Sequence, residues 1–317
     1  PDSSVLKEFL TSHLVEKYDT DSIIKYTEWV NTDWSQLVDK ELDFYEFIDV
    51  LTNMLFELTE HHYNAKKQSE FFKISKSNLK YDEYVIVLDF AENYSFIVQD
   101  AAQGFHWNNS QATIHPFVIY YDNQDTGTTD HKSYACISDH NSHHTIAVYA
   151  FLHNLHSNYL KIEFPFLRKV KYFNDGLSGQ YNNYKKLTNL LFHERDFNLH
   201  AEWNFFATSH GKNACDGVGG TIKRLAARAS LQRPISEQIL TPKQLFEFTK
   251  FNIKGVTTFF VSTEEVIEYS QMLLPRFSSA KTFKGTCKHH QFIPNGESII
   301  MSKTSGESLQ NSIVHQN

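Results

Sequence analysis

The chain has 317 residues, with 37 Asp and Glu against 30 Lys and Arg, a formal charge of −7, and 41% hydrophobic residues that include 26 Phe and 16 Tyr. That is enough apolar material for one large core or two to three smaller ones, while no run approaches a membrane span and no secretory signal pattern opens the sequence. The charge argues against a uniformly basic nucleic-acid binder. It is unevenly spread, however. Residues 1–60 hold 14 acidic and 4 basic residues (−10), which leaves 26 basic and 23 acidic residues (+3) for the rest, so a basic surface further along the chain is compatible with the total. Cys136, Cys215 and Cys287 are an odd, scattered set that predicts no disulfide framework and a reducing compartment. Pro1 stands first in place of Met, so a preceding piece is expected.

Residues 3–75 read as helical. Leu6, Phe9, Leu10 and Leu14 have helical spacing. Thr20 or Asp21 offers a cap for a second helix through Ile23, Ile24 and Trp29. A third helix is expected from Asp43 to about Phe72, with Phe47, Leu51, Leu55 and Leu58 on one face. His61 and His62 are expected at the surface or an interface. This acidic segment carries no evident chemistry and suits protein contacts, including dimerisation.

At Tyr84 the pattern changes. The stretch YVIVLDFAEN (84–93) contains an unbroken apolar run, Val85 to Leu88, which predicts a strand buried on both faces of a sheet. The run ends on Asp89, with Glu92 close behind. A carboxylate there must be paired, hydrated or bound to a cation, unless it only turns the chain. A polar, aromatic loop follows, with Gln103, His106 and Trp107. Trp107 suits either stacking on a base or a place in the core. Thr113 to Tyr121 and Lys132 to Ser138 read as strands around a polar turn. Then come a helix from about His143 to Leu160, a strand from Val170 to Phe173 ending at Asn174-Asp175-Gly176, a helix from Gln180 to Arg195, a strand from Glu202 to Ala207 and a helix from Cys215 to Gln232. Beyond these, Thr241 to Phe251 and Thr263 to Leu274 read as helices flanking a strand, Val256 to Val261. Ser262 and Glu265 form a capping box for the last helix. The tail from Ser302, rich in Ser, Gln and Asn, is expected to be disordered. The predicted plan is a helical segment (1–79), an α/β core (80–232) and a small α/β extension with its tail (233–317).

A three-strand meander followed by αβαβα is the element order of the ribonuclease H-like mixed sheet. It places Asp89 at the end of the first strand, Asp175 at the end of the fourth, and Asp216 at the start of the helix after the fifth. Converging carboxylates repel one another, and Mg²⁺ relieves the repulsion. Two such ions about 3.5–4 Å apart suit phosphodiester cleavage and strand joining. Each Asp also has an ordinary structural use, as a turn residue or a helix cap.

The motifs DFAENY (89–94), NDGLSGQY (174–181), EWNFFATSHGK (202–212) and CDGVGGTIKR (215–224) resemble those of transposon-derived proteins with a ribonuclease H-like DDE/D transposase core. The resemblance spans about residues 80–232 and singles out no one transposon superfamily. It implies a nuclear, homo-oligomeric enzyme that cleaves and joins DNA, at transposon ends or target, with two Mg²⁺ (or Mn²⁺) ions held by Asp89, Asp175 and Asp216. A nuclease that cleaves without joining, or a domesticated module that binds DNA or protein without catalysis, fits the same motifs. The usual third acid of such cores is Glu, so Glu264, Glu265 and Glu268 compete with Asp216. The segment 210–233 opposes Lys212, Lys223, Arg224, Arg228 and Arg233 to Asp216 alone. His210, Lys212, Lys223, Arg224 and Arg228 are its candidate DNA contacts, and the alternative is a solvated helix face. The run GVGG (217–220) lacks the phosphate-loop pattern and suggests close backbone approach. Two weaker zinc candidates are Cys136 with His140, His143 and His144, and Cys287 with His289 and His290.

Overall fold

A computed structural model describes residues 2–97, 110–177, 179–208, 213–306 and 313–316. The chain divides into two compact units, residues 1–66 and 67–317.

In the first unit, α1 (Ser3–Val15) is capped by the Asp2 carboxylate, which accepts the Ser4 N–H. The second predicted helix is absent. Ile24 to Asn31 form β1, which pairs antiparallel with β2 (Ser35–Leu42), Trp29 opposite Leu37. The reason lies in the run IKYTEWVN. Its β-branched and aromatic residues favour a strand, along which half-buried positions (Ile24, Tyr26, Glu28, Val30) alternate with exposed ones at period two, and this outweighs the cap signals at Thr20 and Asp21. Helix α2 (Phe44–Ser77) begins close to where its periodicity predicts.

The second unit takes up the chain from within α2. Its elements are β3 (Glu83–Leu88), β4 (Tyr94–Ser95), β5 (Gln111–Asn123), β6 (Thr128–Ser138), α3 (Thr145–Leu155), a π-helical turn (His156–Leu160), α4 (Lys161–Glu163), β7 (Lys169–Asn174), α5 (Tyr184–Leu191), α6 (His193–Phe197), β8 (His200–Phe205) and α7 (Ala214–Gln232). Then follow α8 (Pro242–Asn252), β9 (Val256–Val261), α9 (Thr263–Ser278), β10 (Gln291–Asn295), β11 (Ser298–Ser302) and β12 (Ile313–Gln316). Among the described residues they form one mixed sheet in the order β12-β11-β10-β8-β7-β3-β5-β6-β9, with β4 beside β5. Strand β3 lies antiparallel to β5 and parallel to β7, β7 parallel to β8, and β5 antiparallel to β6.

Helices cover both faces, which is why Val85 to Leu88 can be wholly apolar and fully buried. Ile86, Leu88, Phe117 and Trp203 pack with Phe151 of α3 and Leu187 of α5. On the other face, Val85, Val87 and Phe173 pack with Cys215 at the start of α7, and Ile114 and Ile137 pack with Ile222 of α7 and Leu245 of α8. The residues beyond 233 supply strands to this same sheet. Strand β9 adds parallel to β6 and β10 adds antiparallel to β8, so neither β6 nor β8 is left as an open edge. The predicted capping box of Ser262 and Glu265 is present at α9. In the polar tail, Ser305 exchanges hydrogen bonds with Gln68 (2.7 and 2.8 Å) and donates to Asn204 (2.9 Å), and β12 pairs with β11. Residues 307–312 and 317 of that tail lie outside the described residues.

Candidate functional site

The site is built where β3 and β7 end side by side. Their parallel register pairs Val87 with Phe173. The same offset (173 − 87 = 175 − 89 = 86) sets Asp89 opposite Asp175, just past the last rungs of the ladder. Both side chains are partly buried. Asp89 Oδ1 accepts the Phe90 N–H at 2.8 Å, and Asp175 Oδ1 accepts the Leu177 N–H at 3.2 Å. The turn at Asp175 depends on Gly176. Its φ is +76°, and a Cβ there would lie 3.1 Å from the Phe205 ring.

Electrostatics set this pair apart. The Asp89 carboxyl is pushed up to about 7, first by burial, then by the Asp175 charge, with a smaller push from Asp216 and partial relief from the Phe90 N–H. Asp175 is raised by burial and by Asp216, against backbone N–H donation. Neither acid forms an ion pair with a Lys or Arg among the described residues.

Asp216 is differently placed. It is exposed at the third position of α7, where its Oδ2 accepts the Asn213 N–H at 2.9 Å while the Asn213 side chain accepts from the start of the helix. It is thus the carboxylate half of a capping box. Its charge reaches both other acids, yet among the described residues no three His, Cys, Asp or Glu side chains gather closely enough to hold one metal ion. The later acids sit further off. Glu265 caps α9, which follows β9, three strands from β3 and therefore roughly 14 Å away by strand spacing.

Helix α7 is held tightly over the site. Cys215 Sγ donates to the Val87 carbonyl (3.3 Å), and a Cβ on Gly219 would lie 2.9 Å from Ala91, in the turn after Asp89. Gly219 therefore explains one part of the GVGG run, whereas Gly217 and Gly220 face open space. Arg224 and Arg228 are exposed on α7. Lys223 is partly buried, and burial lowers its pKa against the opposing charge of Glu92. His210 and Lys212 lie outside the described residues, as do Gln103, His106 and Trp107.

The zinc candidates are not assembled. Cys136 is buried in the core, His140 and His144 bond each other through Nε2 at 3.0 Å, and His143 donates from Nε2 to Asn93 at 2.7 Å. Cys287 is exposed, while His289 and His290 donate to the carbonyls of Gly285 and Phe205.

Sequence reading missed His115 and Tyr181, whose side chains bond at 2.8 Å, both fully buried behind the acids. Asp89 and Asp175 both raise the Tyr181 pKa, and the Phe90 ring stands edge-on to His115 at 4.4 Å. The available signal was a histidine inside the apolar strand TIHPFVIYY, which requires a buried partner.

Two partly buried, mutually repelling carboxylates with no cationic partner suit a hard divalent cation, which prefers oxygen ligands. Asp89 and Asp175 meet that requirement as they stand. Asp216 meets it only while also serving its helix cap. Residues 68–306 match the family described as Domain of unknown function (DUF8701). No curated protein and no solved structure matches the chain.

Proposed function

We propose that this chain, which belongs to the family described as domain of unknown function DUF8701, is a metal-dependent phosphoryl-transfer protein acting on DNA in the manner of a DDE/D transposase. One observation carries the reading: Asp89 and Asp175 end adjacent parallel strands in register, and burial and mutual repulsion disfavour their ionised forms. The strand order β6-β5-β3-β7-β8, an antiparallel meander joined to two parallel strands, supports the ribonuclease H-like form of the fold.

In this reading Asp89 and Asp175, with Asp216, would hold two Mg²⁺ or Mn²⁺ ions, whose chemistry is activation of a water or 3′-hydroxyl and stabilisation of the leaving oxygen. The protein's own part is positional. The Phe90 and Leu177 N–H groups orient one oxygen of each acid, and the packing of α7 on β3 fixes the wall beside them. Arg224 and Arg228 meet the phosphate backbone, and work on transposon ends or target DNA places the protein in the nucleus as a homo-oligomer. The test is nicking of supercoiled plasmid and joining of labelled duplex with Mg²⁺ or Mn²⁺, by wild type, Asp89→Asn and Asp175→Asn. Cleavage in wild type that both variants lose supports the reading. Cleavage without joining narrows it to a nuclease, and equal activity in all three overturns it.

A specific observation also favours the non-catalytic alternative, a domesticated DNA- or protein-binding module. The Asp216 carboxylate is occupied as a cap, and the three acids do not converge on one point. In that case duplex binding is retained and no metal-dependent cleavage accompanies it.

A further inference from the structure

The two faces of the β1–β2 hairpin differ in what covers them. On the inner face Ile24, Tyr26 and Val30 are half-buried, and the Tyr26 ring meets Phe47 of α2 at 5.4 Å between centroids. Directly paired residues of antiparallel strands point to the same side of a sheet, so the outer face is made by the pairs Lys25–Glu41, Thr27–Asp39, Trp29–Leu37 and Asn31–Ser35. All eight residues are exposed. Trp29 is 68% exposed, Leu37 55%, and Trp34, in the turn between the strands, 70%. Among the described residues β1 and β2 pair only with each other. A lone two-stranded hairpin is marginally stable in water, and one that also leaves two indoles and a leucine uncovered gains from being covered.

Charge identifies the cover. Residues 1–60 hold 14 acidic and 4 basic residues. Three of the four cations are already taken: Lys7 pairs with Asp49, Lys25 with Glu41 at 2.7 Å, and Lys40 with Glu28 at 3.9 Å. On the hairpin itself Asp39 stands diagonally beside Trp29 on the outer face, Asp33 precedes Trp34 in the turn, and Asp21 and Asp43 flank the other end. None of these four forms an ion pair among the described residues. A second copy of the same face would set carboxylates against carboxylates, which is repulsive. An occupant that carries cations gains at each acid, and guanidinium groups gain twice, because they stack on indole rings as well as pairing with carboxylates.

We propose that the outer face of the β1–β2 hairpin is a docking surface for an extended, arginine-rich segment of another protein. Its guanidinium groups lie over Trp29 and Trp34 and meet Asp39 and Asp33, and the aliphatic stems of its side chains cover Leu37. The eight residues of each strand give the face a length of roughly 25 Å, which matches about eight extended residues of the partner. The surface lies in the first unit of the chain and does not depend on the chemistry of Asp89 and Asp175.

The test uses fluorescently labelled octa-arginine and octa-lysine peptides as probes, with binding to the full chain followed by anisotropy at 0.15 M salt. Octa-arginine is expected to bind saturably and octa-lysine several-fold more weakly. Trp29→Ala/Trp34→Ala leaves the charge unchanged and should weaken octa-arginine about five- to thirtyfold. Asp33→Asn/Asp39→Asn should weaken it about two- to tenfold. Glu57→Gln/Glu60→Gln removes the same charge from α2, beginning ten residues or roughly 15 Å along the helix from Phe47, and should leave affinity unchanged because salt screens that distance. Circular dichroism checks that each variant is folded. Should the alanine variant lose the hairpin, Trp29→Leu/Trp34→Leu keeps an apolar cover and should abolish the preference for arginine over lysine. Undiminished affinity in the folded tryptophan variants, or equal weakening by the two charge-removing pairs, overturns the proposal. So does a wild type that sediments as a dimer and a Trp29→Ala/Trp34→Ala variant that sediments as a monomer, since the face then belongs to a second copy.

Discussion

Asp89 and Asp175 stand opposite each other at the ends of two adjacent parallel strands, and the charge of Asp175 helps hold the Asp89 proton up to about 7. The two positions follow from one register, because any shift of β7 against β3 would separate them. The sheet therefore stores an electrostatic cost at one point of its edge. A cation is the natural means of offsetting that cost, since no side chain of the described residues does so.

The first prediction follows from the sign of that shift. In the folded chain Asp89 holds its proton until about pH 7, whereas the unfolded chain releases it near the ordinary 3.8. Between those values the folded state binds more protons, so stability falls as pH rises, and above 7 the whole penalty is present. Its size is on the order of a few kcal/mol, and Asp175 adds to it in the same direction. Asp89→Asn should therefore raise Tm at pH 8 and change it little at pH 4. Mg²⁺ should raise the Tm of wild type at pH 8, have little effect at pH 5, and leave the variant unmoved. The check is thermal melting across pH with and without Mg²⁺. Identical pH profiles for wild type and variant would remove the electrostatic basis of the site.

The second prediction separates the two uses of Asp216. Its carboxylate caps α7 by accepting the Asn213 N–H, so Asp216→Ala should cost about 1 kcal/mol of stability. Asp216→Asn keeps an acceptor oxygen and removes the charge, so its Tm should stay near wild type. If Asp216 is a metal ligand, both variants lose the Mg²⁺-dependent Tm shift and any cleavage. If it is only a cap, Asp216→Asn retains both.

What the sequence disclosed and what it hid have different physical origins. Asp89 and Asp175 were legible because an unbroken apolar strand is a local signal and the order of elements fixes which strand ends meet. The β1–β2 hairpin is not legible in the sequence because cap residues and strand-forming residues coexist in the same dozen residues, and pairing with β2 decides between them. Tyr181 against His115, and the buried run from His156 through Tyr172 to His193, are contacts across 66, 16 and 21 residues that no local pattern encodes. Strands β10 to β12 escaped because their composition is mixed and their stability comes from covering the edge at β8.

The third prediction concerns the glycines of α7. At Gly219 a methyl group would meet Ala91 at 2.9 Å, and neither partner can move aside without shifting α7 or the turn after Asp89. Gly219→Ala should thus destabilise by about 1–3 kcal/mol. Gly217 and Gly220 face open space in the same helix, so Gly217→Ala and Gly220→Ala should each stabilise by about 0.5–1 kcal/mol. Denaturant melts of the three variants provide the comparison. A neutral Gly219→Ala would mean that α7 is not packed against the Asp89 turn.

The fourth prediction concerns DNA contact. Lys223, Arg224 and Arg228 are close in sequence, but Lys223 is partly buried beside Glu92 whereas Arg224 and Arg228 share the exposed face of α7. Only the two arginines are free to reach a phosphate from that face. Each phosphate contact contributes about 0.9 to the slope of log K against log salt, so Arg224→Ala/Arg228→Ala should reduce the slope by about 2. Affinity should fall for all duplex sequences alike, because backbone contacts carry no sequence information. Lys223→Ala should change the slope by less. The Mg²⁺-dependent Tm shift should survive in both variants, since none of these side chains ligates a cation. The net charge of −7 makes the salt dependence decisive: a chain that repels DNA as a whole must bind through a local patch, and such binding weakens steeply as salt rises. Fluorescence anisotropy of a labelled duplex at several salt concentrations measures both slope and affinity. Parallel slopes with equal affinities in wild type and the double variant would show that DNA, if bound, lies on another surface.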